Sequence, residues 1–304
     1  MTDPTSKNRP LKILLTGANG YIGMRLLPQL LRQGHHVVCA VRDAKRLSVD
    51  TETRKKIEIV EVDFLKDPLE GVFTPDYDVV YYLIHSMSSS TTDFDKREAQ
   101  AAQNFNVYMK QACPTQVIFL SGIVNNDKLS KHLSSRKKVE EILYEGPFAL
   151  TVLRAGIIVG SGSSSFEIIR DLCEKLPLMI TPKWALTRTQ PIAIRDVIQF
   201  LTGVLGRTDT YNQSFDISGP DILTYKDMLK RYAKVRGFRN WILTVPVMTP
   251  KLSSYWLYFV TSTSYKLAIN LVDSMKMEVV AQENKLQELL GIKTHTYEEA
   301  IDMA

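Results

Sequence analysis

Gly17, Gly20 and Gly23 recur at every third residue in the stretch Gly17-Ala18-Asn19-Gly20-Tyr21-Ile22-Gly23. The apolar run Leu11 to Thr16 leads into them, and an amphipathic stretch carrying Leu26, Leu27, Leu30 and Leu31 follows. A strand that turns through glycines into a helix presents unpaired backbone N–H groups at the positive end of the helix dipole. That arrangement suits a dinucleotide pyrophosphate. Gly17 permits the tight turn, Gly20 the close approach of the ligand and Gly23 the packing of helix on strand, with Asn19, Tyr21 and Ile22 in the same loop. The spacing G-x-x-G-x-x-G departs from the G-x-G-x-x-G fingerprint, so its weight comes from the flanking strand and helix.

The next candidates choose the cofactor. An NAD site usually ends its second strand with an Asp or Glu that bonds the ribose 2′-hydroxyl. Here that position is Val41, followed by Arg42, with Lys45 and Arg46 nearby. A carboxylate repels a 2′-phosphate, whereas a guanidinium pairs with it in a fork and stacks on adenine. The pattern therefore favours NADP over NAD. A rival reading makes Asp43, about 20 residues past Gly23, the ribose acid and Arg42 a surface charge. Asp63 and Phe64 follow the third strand, where they would bond and pack the adenine edge; Asp63 as a simple turn cap is the competing account. Ile84-His85-Ser86 leaves the fourth strand within reach of the nicotinamide ribose, although a histidine there is also an ordinary loop residue.

These residues need a scaffold, and the periodicity supplies one. Strands are expected at 36–41, 57–62, 78–84, 116–120 and 149–154, with helices near 93–112 and 135–144 and a last strand at 214–218. The strands are apolar on both faces, as in a covered parallel sheet. Alternation of strand and helix predicts an α/β, Rossmann-type doubly wound sheet with right-handed crossovers. Residues 10–155 and 212–219 would form the dinucleotide domain. Residues 156–211 and 220–304, irregular and punctuated by Pro177, Pro182, Pro191, Pro220, Pro246 and Pro250, would form a smaller discontinuous lobe over the carboxyl edge. From Trp241 to Val272 large apolar residues crowd together. They are expected as the core of a helical lobe, or else as a greasy pocket or membrane-surface contact that would imply a lipophilic substrate.

The 304 residues are 44% hydrophobic and 23% charged, enough to bury a large core. A net charge of +5, with Arg136-Lys137-Lys138 as the one compact basic cluster and no interleaved aromatics, argues against nucleic acid. Cys39, Cys113 and Cys173 have neither disulfide nor zinc spacing, which points to a reducing, cytoplasmic setting without a metal. The N-terminus lacks a signal-peptide core, and no apolar run approaches the ~20 residues of a membrane span.

The glycine turn, Val41-Arg42-Asp43, Leu120-Ser121 and Arg154-Ala155-Gly156-Ile157-Ile158-Val159-Gly160 resemble the atypical, NmrA-like branch of the short-chain dehydrogenase/reductase superfamily, along nearly the whole chain. Tyr82 to Met87, Gly160 to Glu167 and Pro191-Ile192-Ala193 are similar to a bacterial subgroup of sugar-nucleotide epimerases and NAD(P)-binding oxidoreductases. The resemblance implies NAD(P) binding, with Ala155-Gly156 beside the carboxamide and Asn104 near the active site. It implies a Tyr-x-x-x-Lys pair on the helix after the fifth strand, yet this chain has His132 and Arg136 at those positions. Ser121 stands where the catalytic hydroxyl is expected, next to Gly122. Ser121, His132 and Arg136 are thus the catalytic candidates. Ser164-x-x-Glu167 is expected as a capping box and Asp196 as a fold-stabilising acid.

Three functions remain open from sequence. The first is an NADPH-dependent oxidoreductase of a small or lipophilic carbonyl or enone; the second is a non-catalytic NADP(H)-sensing regulator or assembly factor. A sugar-nucleotide epimerase ranks third, because it needs the tyrosine base.

Overall fold

The computed structural model describes residues 9–85, 94–124, 131–245, 275–282 and 285–304, with Lys131 and His132 described by their backbone alone. The chain runs β1 (Lys12–Thr16), α1 (Gly23–Arg32), β2 (His36–Val41), the short α2 (Thr51–Lys55), β3 (Ile57–Glu61) and β4 (Val79–Tyr82). It continues through α3 (Phe94–Ala112), β5 (Gln116–Gly122), α4 (Lys131–Tyr144) and β6 (Ala149–Ala155). α5 (Ser164–Lys175) and α6 (Ile194–Gly203) precede β7 (Gln213–Ile217). α7 (Tyr225–Val235), α8 (Lys285–Leu290) and α9 (Tyr297–Asp302) complete the helices used below. Helix α4 begins at Lys131, four residues before the expected Ser135.

The seven strands form one parallel sheet in the order β3-β2-β1-β4-β5-β6-β7. Leu14 of β1 faces Val38 on one side and Val80 on the other. Strand alternation sends Ile13 and Leu15 to a core with Leu26, Leu27 and Leu30 of α1 and Val197, Phe200 and Leu201 of α6. Leu14 joins the opposite core, with Ala101, Phe105 and Met109 of α3 and Val139 and Leu143 of α4. Both sheet faces are therefore dry, which explains why the strands read as apolar throughout.

The remaining elements assemble a third core, in which Phe166, Ile169 and Leu172 of α5 meet Met228, Leu229 and Tyr232 of α7 and Ala300 and Ile301 of α9. Two expectations need correction here. Helix α6 and Leu286 of α8 fall in stretches assigned to the lobe, yet both pack into the sheet's core; their apolar faces match α1 and the sheet. Trp241 is no core residue either. Residues Trp241–Val245 form a strand parallel to Leu178–Pro182, and the period of two leaves Trp241 75% and Leu243 56% exposed, beside exposed Leu178 and Ile180. The rest of the apolar segment, 246–272, lies outside the described residues.

The anticipated capping box at Ser164 and Glu167 does not form. Ser163, not Ser164, is the N-cap of α5, and its hydroxyl donates to the Ile158 carbonyl at 2.7 Å while Glu167 accepts from the Gly162 N–H. Asp196, fully buried at the start of α6, accepts from the His295 N–H at 2.8 Å and contacts His295 Nδ1 at 2.6 Å. It joins α6 to the segment before α9. Among the described residues no helix is long and apolar enough to cross a membrane.

Removing the Asp196 carboxylate takes the acceptor from the half-buried His295 N–H and leaves a hole at a fully buried position. Asp196→Ala is expected to lower unfolding stability by about 3 kcal/mol, measured by urea titration followed by circular dichroism.

Candidate functional site

In a doubly wound sheet the ligand crevice opens where strand order reverses, outside the carboxyl ends of the strands. Here the reversal lies between β1 and β4, and a crevice of about 600 Å³ opens there. Its upper wall is the turn from β1 to α1. Gly17 has φ +66°, and a Cβ on it would stand 2.6 Å from the Leu83 carbonyl oxygen; a Cβ on Gly23 would stand 2.4 Å from the Gly17 carbonyl oxygen. No side chain larger than hydrogen fits either place. Ile22 at the N-cap of α1 offers no side-chain cap, so the helix start faces the crevice without a competing internal acceptor. Asn19, Gly20, Tyr21 and Ile22 line it with these glycines.

At one end Arg42 lines the crevice, whereas Asp43 turns its carboxylate onto the Lys45 N–H at 2.9 Å and caps the turn at residues 44–46. Asp63 and Phe64 line it as well. Asp63 also accepts from the Leu65 N–H at 3.1 Å, as a turn cap does. Phe64 packs edge-on against Tyr108, with ring centroids 5.5 Å apart, in an aromatic cluster with Phe73 and Phe105. Asn104 does not line the crevice. Its amide nitrogen donates to the Phe64 and Lys66 carbonyls at 2.9 and 2.8 Å, holding the loop after β3 from behind.

At the other end Ile84, His85, Ser121, Arg136, Ala155 and Gly156 converge. Ser86 and the side chain of His132 lie outside what is described. Ser121 is 6% exposed at the end of β5, and among the described residues its hydroxyl has no hydrogen-bond partner. Arg136 is buried under the crevice floor. Its guanidinium donates to the Leu120 carbonyl at 2.6 Å and the Ile84 carbonyl at 3.4 Å, and it sits 4.7 Å from the centroid of the Phe119 ring.

Glu98 completes this corner and was not anticipated. It is 3% exposed, contacts His85 Nδ1 at 2.8 Å and Arg136 at 3.5 Å, and accepts from the Ser135 hydroxyl at 3.2 Å. A signal did exist: Glu98, Ala101, Ala102 and Phe105 recur at helical spacing, which puts a carboxylate on the buried face of α3. Burial lowers the His85 pKa, and the hydrogen bond to Glu98 works against that shift. Tyr21 has its hydroxyl buried with no partner among the described residues and the Arg25 guanidinium 3.9 Å from its ring centroid. Burial pushes its pKa up to about 12, which keeps the phenol protonated near neutrality.

The comparisons with known proteins agree with this geometry. Residues 17–169, just over half of the chain, match the model of a family described as NAD(P)H-binding. The chain belongs to that family. The matched span of this NAD(P)H-binding protein runs from the glycine turn to α5 and contains the whole crevice wall described above.

A divinyl chlorophyllide a 8-vinyl-reductase of Arabidopsis thaliana is 23% identical over 81% of the chain and 63% of its own length. The chain thus spans less than two thirds of that relative. An NADPH-dependent quinone oxidoreductase of Escherichia coli, solved with NADPH, superposes with a TM-score of 0.76 at 17% identity, covering 95% of this chain and 98% of the other. A nucleoside-diphosphate-sugar epimerase of Staphylococcus aureus gives 0.75 at 16% identity over 96% and 99%. At such identities the two solved structures show the shared fold.

The tight contact between Gly23 and the Gly17 carbonyl generates a prediction. Gly23→Ala forces the turn away from α1, so NAD(P)H affinity should fall at least tenfold by isothermal titration, with a lower melting temperature; an unchanged Kd would contradict the place of the glycine turn in the cofactor site.

Proposed function

We propose that this protein is an NADPH-dependent reductase of a small, lipophilic carbonyl or enone. The observation that carries the reading is the Ser121 hydroxyl, buried at the carboxyl end of β5, lining the crevice and without a partner among the described residues. An unsatisfied buried hydroxyl costs about 1–3 kcal/mol unless a ligand meets it. A substrate carbonyl against the nicotinamide end would do so.

The residues present fit a nicotinamide dinucleotide. Gly17, Gly20 and Gly23 leave space for the pyrophosphate at the start of α1, and Asp63 and Phe64 flank the adenine end. Arg42 lines the crevice and would meet a 2′-phosphate there, while Asp43 is engaged in its own turn, which supports NADP over NAD. The bound dihydronicotinamide supplies a hydride. Ser121 donates a hydrogen bond to the substrate oxygen and fixes its orientation. Leu83, Leu120 and Ile158 make the surrounding wall apolar and exclude water. The names of the plant relative, a vinyl-reductase, and of the bacterial neighbour, a quinone oxidoreductase, accord with a conjugated, apolar substrate. Buried Cys39 and Cys173, present as free thiols, suit a reducing cytoplasmic compartment.

A second reading, a regulator that responds to NADP(H), draws support from Arg136. Where the reductase pattern places a lysine, this guanidinium spends its donors on the backbone carbonyls of Leu120 and Ile84. One assay separates the two readings: NADPH oxidation against menadione, 2-cyclohexenone and short aldehydes. Turnover that drops at least tenfold in Ser121→Ala supports the reductase. No turnover with any of them, despite micromolar NADPH binding, overturns it in favour of the regulator.

Cofactor choice is tested on Arg42. Arg42→Ala should weaken NADPH at least tenfold and leave NADH within threefold, as measured by fluorescence titration. Equal affinity for both cofactors in the parent protein would refute the choice of NADP.

A further inference from the structure

The missing tyrosine leaves the proposed reduction without a proton donor, and the structure holds a candidate at the same crevice. His85 lines the crevice with Ser121 and Arg136. Its Nδ1 lies 2.8 Å from Glu98 Oε1, and its side chain is 31% exposed, while Glu98 is almost fully buried. Glu98 is in turn fixed by the Ser135 hydroxyl at 3.2 Å and by Arg136 at 3.5 Å. The Phe94 ring meets the imidazole edge-on, with centroids 5.9 Å apart. We infer that His85, oriented by Glu98, is the proton donor of the reduction, with Glu98 and Arg136 as positioning residues.

This inference rests on the reductase reading above. The roles follow from geometry. A carboxylate on Nδ1 fixes the tautomer and rotamer of the ring and leaves Nε2 as the nitrogen that serves the crevice. The substrate gains two electrons and one hydrogen as hydride. Its second hydrogen comes as a proton from the imidazolium, whose N–H bond breaks as the new O–H or C–H bond forms. The neutral imidazole then recovers a proton from water at its exposed edge.

Arg136 explains why the usual lysine is dispensable here. A lysine in the Tyr-x-x-x-Lys arrangement lowers the pKa of a phenol; with no phenol to tune, the cation instead neutralises Glu98 and clamps the carbonyls that end β4 and β5. Among the described side chains, Glu98 from α3 and Arg136 from α4 are the charged groups that face His85, and they act in opposite directions. The carboxylate stabilises the imidazolium and the guanidinium disfavours it. Burial lowers the His85 pKa further, so the donor form is the minor species at neutral pH. Turnover should therefore rise as the pH falls.

The test has two arms on the full chain saturated with NADP+ or NADPH. In the first, 15N-edited spectra of the five histidines, assigned with His85→Gln, follow the His85 ring through pH. The expected result is a proton on Nδ1 and a midpoint that drops by about one unit in Glu98→Gln, since loss of the carboxylate removes the group favouring the charged ring. A ring protonated on Nε2 alone, or a midpoint that Glu98→Gln does not move, overturns the pairing. In the second arm, His85→Gln should cut menadione reduction about 100-fold with the NADPH Kd within threefold of the parent. The pH dependence should flatten in that variant, and Glu98→Gln should shift it to lower pH. An active parent with an unaffected His85→Gln overturns the inference alone, whereas an inactive parent overturns the reductase reading and the proton role with it.

Discussion

Everything at the crevice depends on how closely the turn from β1 to α1 passes over the end of β4. The Cβ position of Gly17 lies 2.6 Å from the Leu83 carbonyl oxygen and that of Gly23 lies 2.4 Å from the Gly17 carbonyl oxygen. These distances exclude any side chain and set α1 directly against the sheet, so Leu26, Leu27 and Leu30 reach the core that Ile13 and Leu15 start. The same closeness places the helix start over the switch point between β1 and β4. A phosphate site and a packed helix–sheet contact are here one construction.

Beneath that turn, a single guanidinium organises the opposite wall. Arg136 donates to the chain ends of both β4 and β5, contacts Glu98 and lies over Phe119. Its burial is tolerable because its charge is met by Glu98 and its donors by carbonyls. Ser121 and His85 sit at the mouths of the two strands that it joins. Their relative placement is inherited from a buried ion pair on two helices, not from the loops that carry them.

The sheet and its cofactor turn were legible because their signals are local. Apolar strands and a strand–glycine–helix sequence each occupy fewer than about twenty residues. What stayed hidden was non-local or changed period. Helix α6 was placed in the lobe because sequence order separates it from α1, although their apolar faces meet in one core. Trp241 and Leu243 resembled helical core residues, but a strand pairing with Leu178–Pro182 turned them outward. Asn104 was sought at the active site on a positional likeness, whereas its amide holds a loop on the far side of Phe64. The partnership of Glu98 with His85 joins a helix to a strand end; the spacing in α3 marks Glu98 as buried but does not name its partner.

The return of β7 to the edge of the sheet has a kinetic side. Leu150 at the start of β6 donates to the Asn212 side chain, 62 residues further on, and Gln116 of β5 reaches the Val204 carbonyl and the Gly206 N–H. The sheet therefore finishes only after α5 and α6 have been threaded through the excursion and the chain has come back. Closing such a loop is an entropic toll that local pairing does not repay until late. A molecule truncated after β6 would expose a bare, apolar strand edge, the kind of surface on which partly folded chains associate. The lobe and the sheet are consequently bound to mature together, whatever the lobe itself contributes to ligand selection.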